Sequence, residues 1–203
     1  LAGGQGARFN DPLPKVFHPL KGKAIIRHSF DLFISMKEID EIVVVCPQKY
    51  HTYFPEKTLF ASPGNERQDS VKNGLAKTTG EIILIHDGAR PFITSEDVKK
   101  LLNEGLLLGA AALGAPVKNT IKQVHKTSLV EKTLDRTALF EMFTPQLLRR
   151  SLLEKGLQAA KDQKLTDDVA LAELLNHPVK IVEGSRRNIK ITYPLDLEIA
   201  HIL

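Results

Sequence analysis

The chain has 203 residues, 42% of them hydrophobic and 26% charged, enough to bury a substantial core in one soluble domain. A net charge of +4, scattered basic residues, no Trp and only 6% aromatics exclude a base-stacking nucleic-acid platform and suit a small anionic ligand. The single cysteine, Cys46, excludes an internal disulfide framework and fits a reducing compartment, where it reads as a small apolar residue ending a strand.

The chain opens on Leu1-Ala2-Gly3-Gly4-Gln5-Gly6-Ala7-Arg8, followed by Pro14-Lys15. Glycines let backbone N–H groups approach a bulky anion, and Arg8 and Lys15 can neutralise it. The loop lacks the Gly-Lys-Ser/Thr of a Walker A motif. It also lacks the dinucleotide fingerprint: Phe9 stands where a third glycine is expected, and no acid closes the next strand, which ends Val45-Cys46-Pro47. A nucleoside triphosphate about to lose pyrophosphate fits best. A strand is expected before such a loop, and most of it would lie upstream of Leu1.

Short apolar runs predict strands at Ile42–Cys46, near Leu59–Ser62, at Glu81–His86, from Gly109 to Leu113 and at Val179–Val182. Between them, helical periodicity covers Ile25–Met36, Arg67–Lys77, Ser95–Leu107, Pro145–Lys161, Asp167–Leu175 and Pro194–Leu203. This alternation predicts an α/β, Rossmann-like, mostly parallel sheet flanked by helices, as a single domain over 1–203. Val117–Leu134 breaks the rhythm with alternating residues around His125-Lys126-Thr127-Ser128, which predicts a β-hairpin arm. It packs either on a second subunit or at the edge of its own sheet. The longest apolar candidate for a membrane span, Leu106–Val117, is broken by Gly109, Gly114 and Pro116 and falls short of the roughly 18 residues a span needs. No signal peptide is expected.

Other positions could carry chemistry. Gly64-Asn65-Glu66-Arg67-Gln68-Asp69-Ser70 opens a helix, with Asn65 as a candidate N-cap or, at a strand's carboxyl end, a ligand contact. In His86-Asp87-Gly88-Ala89-Arg90-Pro91-Phe92, Asp87 ends a buried strand, where magnesium on a nucleotide is a common partner. Arg90 is either its ion-pair partner or an anion contact. Asp135-Arg136 follows the hairpin, Lys190 sits in Asn188-Ile189-Lys190-Ile191-Thr192, and Thr166-Asp167-Asp168 reads as a helix cap. Clustered zinc ligands and a Gly-x-Ser-x-Gly elbow are absent, and the seven histidines are dispersed. A phosphate monoester, with a second pKa of about 6, needs no base to attack at neutral pH.

Together these motifs, with Pro116-Val117-Lys118-Asn119-Thr120, Thr144-Pro145-Gln146 and Glu183-Gly184, resemble the 2-C-methyl-D-erythritol 4-phosphate cytidylyltransferases of the non-mevalonate isoprenoid pathway. The resemblance runs along nearly the whole chain. It implies a nucleotidyltransferase fold whose arm, residues 117–136, clasps a second subunit of a homodimer. It implies CTP and a small polyol phosphate as substrates, pyrophosphate release, Mg2+, and a cytoplasmic or plastid-stromal location, without nucleic acid or membrane. On that resemblance Ala2, Gly3, Gly4, Gly6, Gly64, Asn65 and Ser70 bind CTP, and Arg8 and Lys15 stabilise the triphosphate charge. Asp87 faces metal and substrate, and Arg90, Thr166 and Lys190 lie on the substrate side. Thr120 and Arg136 enter the neighbouring site, and Arg136 and Lys190 join the catalytic set. The family often carries Asp where Asn65 and Asn119 stand; an amide keeps the acceptor oxygen and drops the charge. A ribitol-5-phosphate cytidylyltransferase, or a nucleotide-binding domain without turnover, is the alternative.

Overall fold

The computed structural model describes residues 1–4, 9, 11–161 and 163–203. The glycine loop therefore enters at Ala2, Gly3 and Gly4, whereas Gly6 and Arg8 lie outside the described residues.

In chain order, a short antiparallel pair comes first, β1 (Pro19–Leu20) and β2 (Lys23–Ala24). Its turn places Lys21 at φ 47° and Gly22 at φ 88°, the left-handed geometry that two-residue hairpins favour. Helix α1 (Ile25–Ser35) follows, burying Ile25, Ile26, Ser29 and Phe30 on one stripe. Strand β3 (Val43–Val45) pairs in parallel with β4 (Leu59–Ala61), and α2 (Arg67–Leu75) leads to β5 (Ile82–Ile85). Helix α3 (Ser95–Leu108) is capped by Thr94, whose side chain accepts from the Asp97 N–H, and ends on Gly109 at φ 74°. A Cβ on Gly105 would stand 2.8 Å from that of Ala111, so this helix lies directly on β6 (Ala110–Pro116).

The arm follows as β7 (Lys122–Val124) and β8 (Val130–Thr133), every residue of both strands exposed. It forms a two-stranded sheet of its own rather than an edge of the central one. The chain returns through β9 (Phe140–Arg149), α4 (Arg150–Ala160), α5 (Ala170–Glu173), β10 (Lys180–Glu183) and α6 (Pro194–Ile202).

The central sheet runs β10-β6-β9-β5. Strand β10 is parallel to β6, but β9 is antiparallel to both β6 and β5. The sheet is thus mixed, which corrects the expected mostly parallel one. The cause is β9, whose second half the sequence pattern predicts as the start of a helix from Pro145. Proline is favoured at a helix N-terminus, and Leu147, Leu148, Leu152 and Leu153 extend a helical spacing. Burial decides otherwise: residues 143–148 are covered on both faces, as only a central strand requires. The helix begins at Arg150. The expected helix over Asp167–Leu175 contracts to Ala170–Glu173.

Pro145 fits a strand because β9 is irregular there. Between the pairs Ala112–Gln146 and Gly114–Met142 the register shifts, so Phe143, Thr144 and Pro145 face Leu113 alone. Leu1 and Ala2 tie the two groups of strands together. The Leu1 nitrogen donates to the His86 carbonyl at 2.6 Å, Gly88 N–H to the Leu1 carbonyl at 3.0 Å, and Ala2 N–H to the Val45 carbonyl at 2.8 Å. Beside them a cavity of about 810 Å³ is lined by β3 and β5. Cys46, buried just past β3, has its thiol pushed up to about 11 by that burial, which fits its reading as a small apolar residue.

Leu147, fully buried at the centre of β9, should cost about 2–5 kcal/mol when cut to alanine. Urea denaturation should show the lower midpoint with an unchanged slope.

Candidate active site

Asp87 follows the carboxyl end of β5, where open α/β sheets place ligands. Its carboxylate lies between two cations. Lys190 Nζ donates to Oδ2 at 2.6 Å, and Arg67 Nη2 reaches Oδ1 at 3.3 Å. Burial alone would push this carboxyl up, but the charges of Lys190 and Arg67 outweigh it and hold it well below the usual carboxylate range. Arg67 is itself anchored. It meets the carboxylate of Asp168, a residue only 2% exposed, through both terminal nitrogens, Nη2 reaching Oδ2 at 2.6 Å. The pairing with Asp168 and Asp87 keeps the guanidinium charged against the pull of burial.

The backbone of Asp87 is fixed as well. Its N–H donates to Thr144 Oγ1 at 3.0 Å, from the irregular turn of β9. His86 Nε2 lies 3.1 Å from the Arg90 carbonyl, which can only accept, so the ring proton sits there. Nδ1 is then left to accept from the Thr144 hydroxyl at 3.2 Å. Burial keeps this imidazole neutral, its pKa pushed down to about 3. Gln146, two residues along β9, takes the N–H groups of Asp168 and Val169 on its Oε1 and donates to Asp167 Oδ2. Asp167 Oδ1 accepts from the N–H of Ala170, the first residue of α5, while Asp168 pairs with Arg67. The N-cap of α5 is Val169, which corrects the cap reading of Thr166-Asp167-Asp168, although Asp167 still satisfies one N–H of the first turn.

The loops around this centre share one core. Ala2, Val16, Phe17 and Ala89 pack in the same apolar cluster, which fixes the glycine loop and the Asp87 loop to the turn bearing Lys15. Lys15 opens a 3₁₀ turn, Lys15–Phe17, whose next two side chains are buried. A Cβ on Gly3 would fall 2.3 Å from that of Pro63, and one on Gly64 would fall 2.0 Å from that of Asp69. Glycine is thus required where the first loop meets the 63–70 turn. Around Gly4 a Cβ would meet nothing within 4 Å among the described residues. Ser70 is buried and accepts the Gly64 N–H at 3.0 Å. Asn65 is exposed beside it and is not the helix cap. Glu66 is, its N–H accepted by Asp69 Oδ2 at 3.0 Å in a reciprocal capping box.

Arg90 is 8% exposed and points inward. Its Nη1 donates to the Asn188 carbonyl at 2.7 Å and Nη2 to the Met142 carbonyl at 3.2 Å. Those bonds, with the Ile191 N–H on the Ala89 carbonyl at 2.9 Å, seat the Lys190 loop beside Asp87. Thr166 is exposed, two residues before the buried Asp168. Thr120 and Arg136 stand exposed on the arm, where Arg136 Nη1 donates to the Lys118 carbonyl at 2.7 Å. The sequence pattern assigns no site role to Arg67, Thr144 or Gln146 and reads Asp168 only as part of a helix cap, although each lies in a stretch that carries the resemblance. The available signal was chemical: polar and charged side chains in otherwise apolar or capping surroundings, each needing a partner.

Among the described residues no three His, Cys, Asp or Glu side chains gather as a metal cage. Asp87, an ionised carboxylate beside a loop suited to phosphate, fits the other kind of cation site, in which magnesium takes one protein carboxylate, phosphate oxygens and water. Among the described residues no helix is long and apolar enough to cross a membrane.

A glycine loop, a lysine turn and an acid at a strand end, packed on one core, define an α/β protein built to handle nucleotides. A family model for 2-C-methyl-D-erythritol 4-phosphate cytidylyltransferase (IspD) matches residues 1–203. The chloroplastic enzyme of that name from Oryza sativa subsp. japonica is 49% identical over 216 residues, covering 100% of this chain and 72% of the relative. The one from Chlamydia pneumoniae is 41% identical over 206 residues, covering 100% and 96%. Among solved structures, 4-diphosphocytidyl-2C-methyl-D-erythritol synthase from Anaerococcus prevotii DSM 20548 superimposes with a TM-score of 0.86 at 27% identity, over 99% of this chain and 92% of that one. The 2-C-methyl-D-erythritol 4-phosphate cytidylyltransferase of Francisella tularensis gives 0.84 at 29%, over 99% and 95%. The chain belongs to the 2-C-methyl-D-erythritol 4-phosphate cytidylyltransferase family.

Asp168→Ala strands the Arg67 charge and should lower stability by on the order of 3 kcal/mol, the low end for a broken buried pair because Arg67 keeps a partly exposed face. The urea midpoint measures it.

Proposed function

We propose that the chain joins CTP and 2-C-methyl-D-erythritol 4-phosphate into a CDP-alcohol, releasing pyrophosphate, within isoprenoid precursor synthesis. The observation that carries this reading is the Asp87 carboxylate paired with Lys190 beside the glycine loop, in a chain that matches the family over residues 1–203. Residues 1–203 act as one nucleotidyltransferase domain, with 117–136 as its arm. The reaction belongs in the bacterial cytoplasm or the plastid stroma, since the similar enzymes are bacterial or chloroplastic.

The backbone at Ala2, Gly3, Gly4 and Gly6 cradles the nucleotide, and Gly64, Asn65 and Ser70 face the base. The acceptor's phosphate oxygen attacks the α-phosphorus in line. As that P–O bond forms, the bond to the β-phosphate bridging oxygen breaks, and its electron pair leaves with pyrophosphate. Arg8 and Lys15 offset the charge that grows on the leaving group. Lys190, with Arg136 from a partner's arm, holds the acceptor phosphate, and Thr120 and Thr166 contact its polyol. Arg90 acts by seating the Lys190 loop, given where its guanidinium donates. Asp87 would hold a divalent cation. Bound Mg2+ supplies charge neutralisation on the phosphates. Positioning and charge do most of the work, so no general base is required.

The arm supports a homodimer. Val124, Leu129 and Val130 are 52%, 68% and 58% exposed on a hairpin too small to bury them itself.

With CTP and methylerythritol phosphate, pyrophosphate release should be robust, and Lys15→Ala should lower turnover by about 10²–10³. Turnover with ribitol 5-phosphate alone, or full release by Lys15→Ala, would overturn the assignment. Lys15→Ala mixed with Arg136→Ala should regain about a quarter of wild-type turnover, because a mixed dimer holds one intact site. No regain would exclude a shared site.

A further inference from the structure

Arg67 and Asp168 have no role in the mechanism above, yet they form the most buried ion pair at the site. Stability alone is a weak account of such a pair. Two charges taken out of water gain little over an apolar pair of the same volume, so their value lies in fixing geometry. The geometry here is specific. Arg67 opens α2, in the segment whose preceding turn carries Gly64 and Asn65. Both its terminal nitrogens engage Asp168, and one of them also reaches Asp87 Oδ1. Asp168 is held in turn by its backbone, whose N–H donates to Gln146 at 2.8 Å. Thr144, on the same strand as Gln146, receives the Asp87 N–H.

Strand β9 thus grips Asp87 twice, at the backbone through Thr144 and at the carboxylate through Gln146, Asp168 and Arg67. Lys190, the other cation on Asp87, has a side chain 40% exposed and hangs from a loop, so it is the partner that ligands can exchange. A guanidinium fork held by a buried carboxylate loses little freedom when it also aims a third group.

We propose that Arg67 is a positioning residue for this reaction, locked by Asp168 so that its guanidinium fixes the Asp87 carboxylate, with Thr144 fixing the Asp87 backbone. This rests on the cytidylyltransferase reading of the site. Arg67 also makes the start of α2, next to the proposed base-binding turn, one body with Asp87.

The test is a double-mutant cycle on turnover. Arg67→Lys keeps the charge but loses the fork. It should lower kcat by about 10–100-fold, as outer partners of ligating carboxylates do, while KM for CTP moves by less than about threefold. In an Asp87→Asn background the same change should produce no further loss, because its effect runs through that carboxylate. Losses that multiply in the double variant, or a fall carried by KM alone, would overturn the proposal. Thr144→Val, close to isosteric, carries the same cycle if Arg67→Lys does not fold, and the same non-additivity is expected. Wild-type protein that fails to turn over CTP would instead sink the functional reading, so the two failures are distinct.

Discussion

A carboxylate that must stay ionised while shielded from water needs compensating charge, and at Asp87 that requirement organises the site. Lys190 arrives from near the end of the chain, Arg67 from the start of α2, and Asp168 from the loop before α5. Two of these contacts span about a hundred residues, so the charges balance only once distant parts of the chain have met. On the proposed reading, an incoming triphosphate would add more negative charge beside this carboxylate. The two cations differ in how they are held: Arg67, partly exposed, is anchored by the buried Asp168, whereas Lys190 hangs from a loop.

Around this charge the neutral groups are spent on backbone. His86 stays uncharged and bridges Thr144 to the Arg90 carbonyl, and Gln146 satisfies two N–H groups of the 167–169 turn. Buried amides and imidazoles used this way remove freedom from loops that carry no regular structure. Asn188 does the same from the opposite side, donating to the Thr144 carbonyl at 2.9 Å. The chemistry-bearing side chains stand on irregular segments, and those segments are pinned by polar residues projecting from a strand.

How much of this could be read in advance follows from where the information resides. The apolar runs at 42–46 and 81–86 and the helical periodicity at 95–107 are local, and each matches an element whose ends lie within a residue or two. Asp87 and the arm stood out because an acid at a buried strand end and alternation between helices break the local pattern, whereas Lys190, unremarkable alone, was marked only by the resemblance. Strand β9 was not legible, since its proline and its leucine pairs satisfy a helix template equally well and only its neighbours β5 and β6 decide between the two. The Arg67–Asp168 pair was invisible for a similar reason. Nothing local distinguishes an arginine on the first turn of a helix from a solvated one, and the partner lies about a hundred residues away.

The path of β9 has a mechanical corollary. The strand starts at the foot of the arm with Phe140 and reaches Gln146 about 20 Å further on, past Thr144. It is paired to β6 for much of that path, and β6 runs to the other foot of the arm at Pro116. The foot of the arm and the residues that touch the Asp87 backbone and the Asp168 turn therefore lie within six residues of one another on one strand. A bend at the irregular stretch between them would change the angle of the hairpin and the aim of Thr144 together.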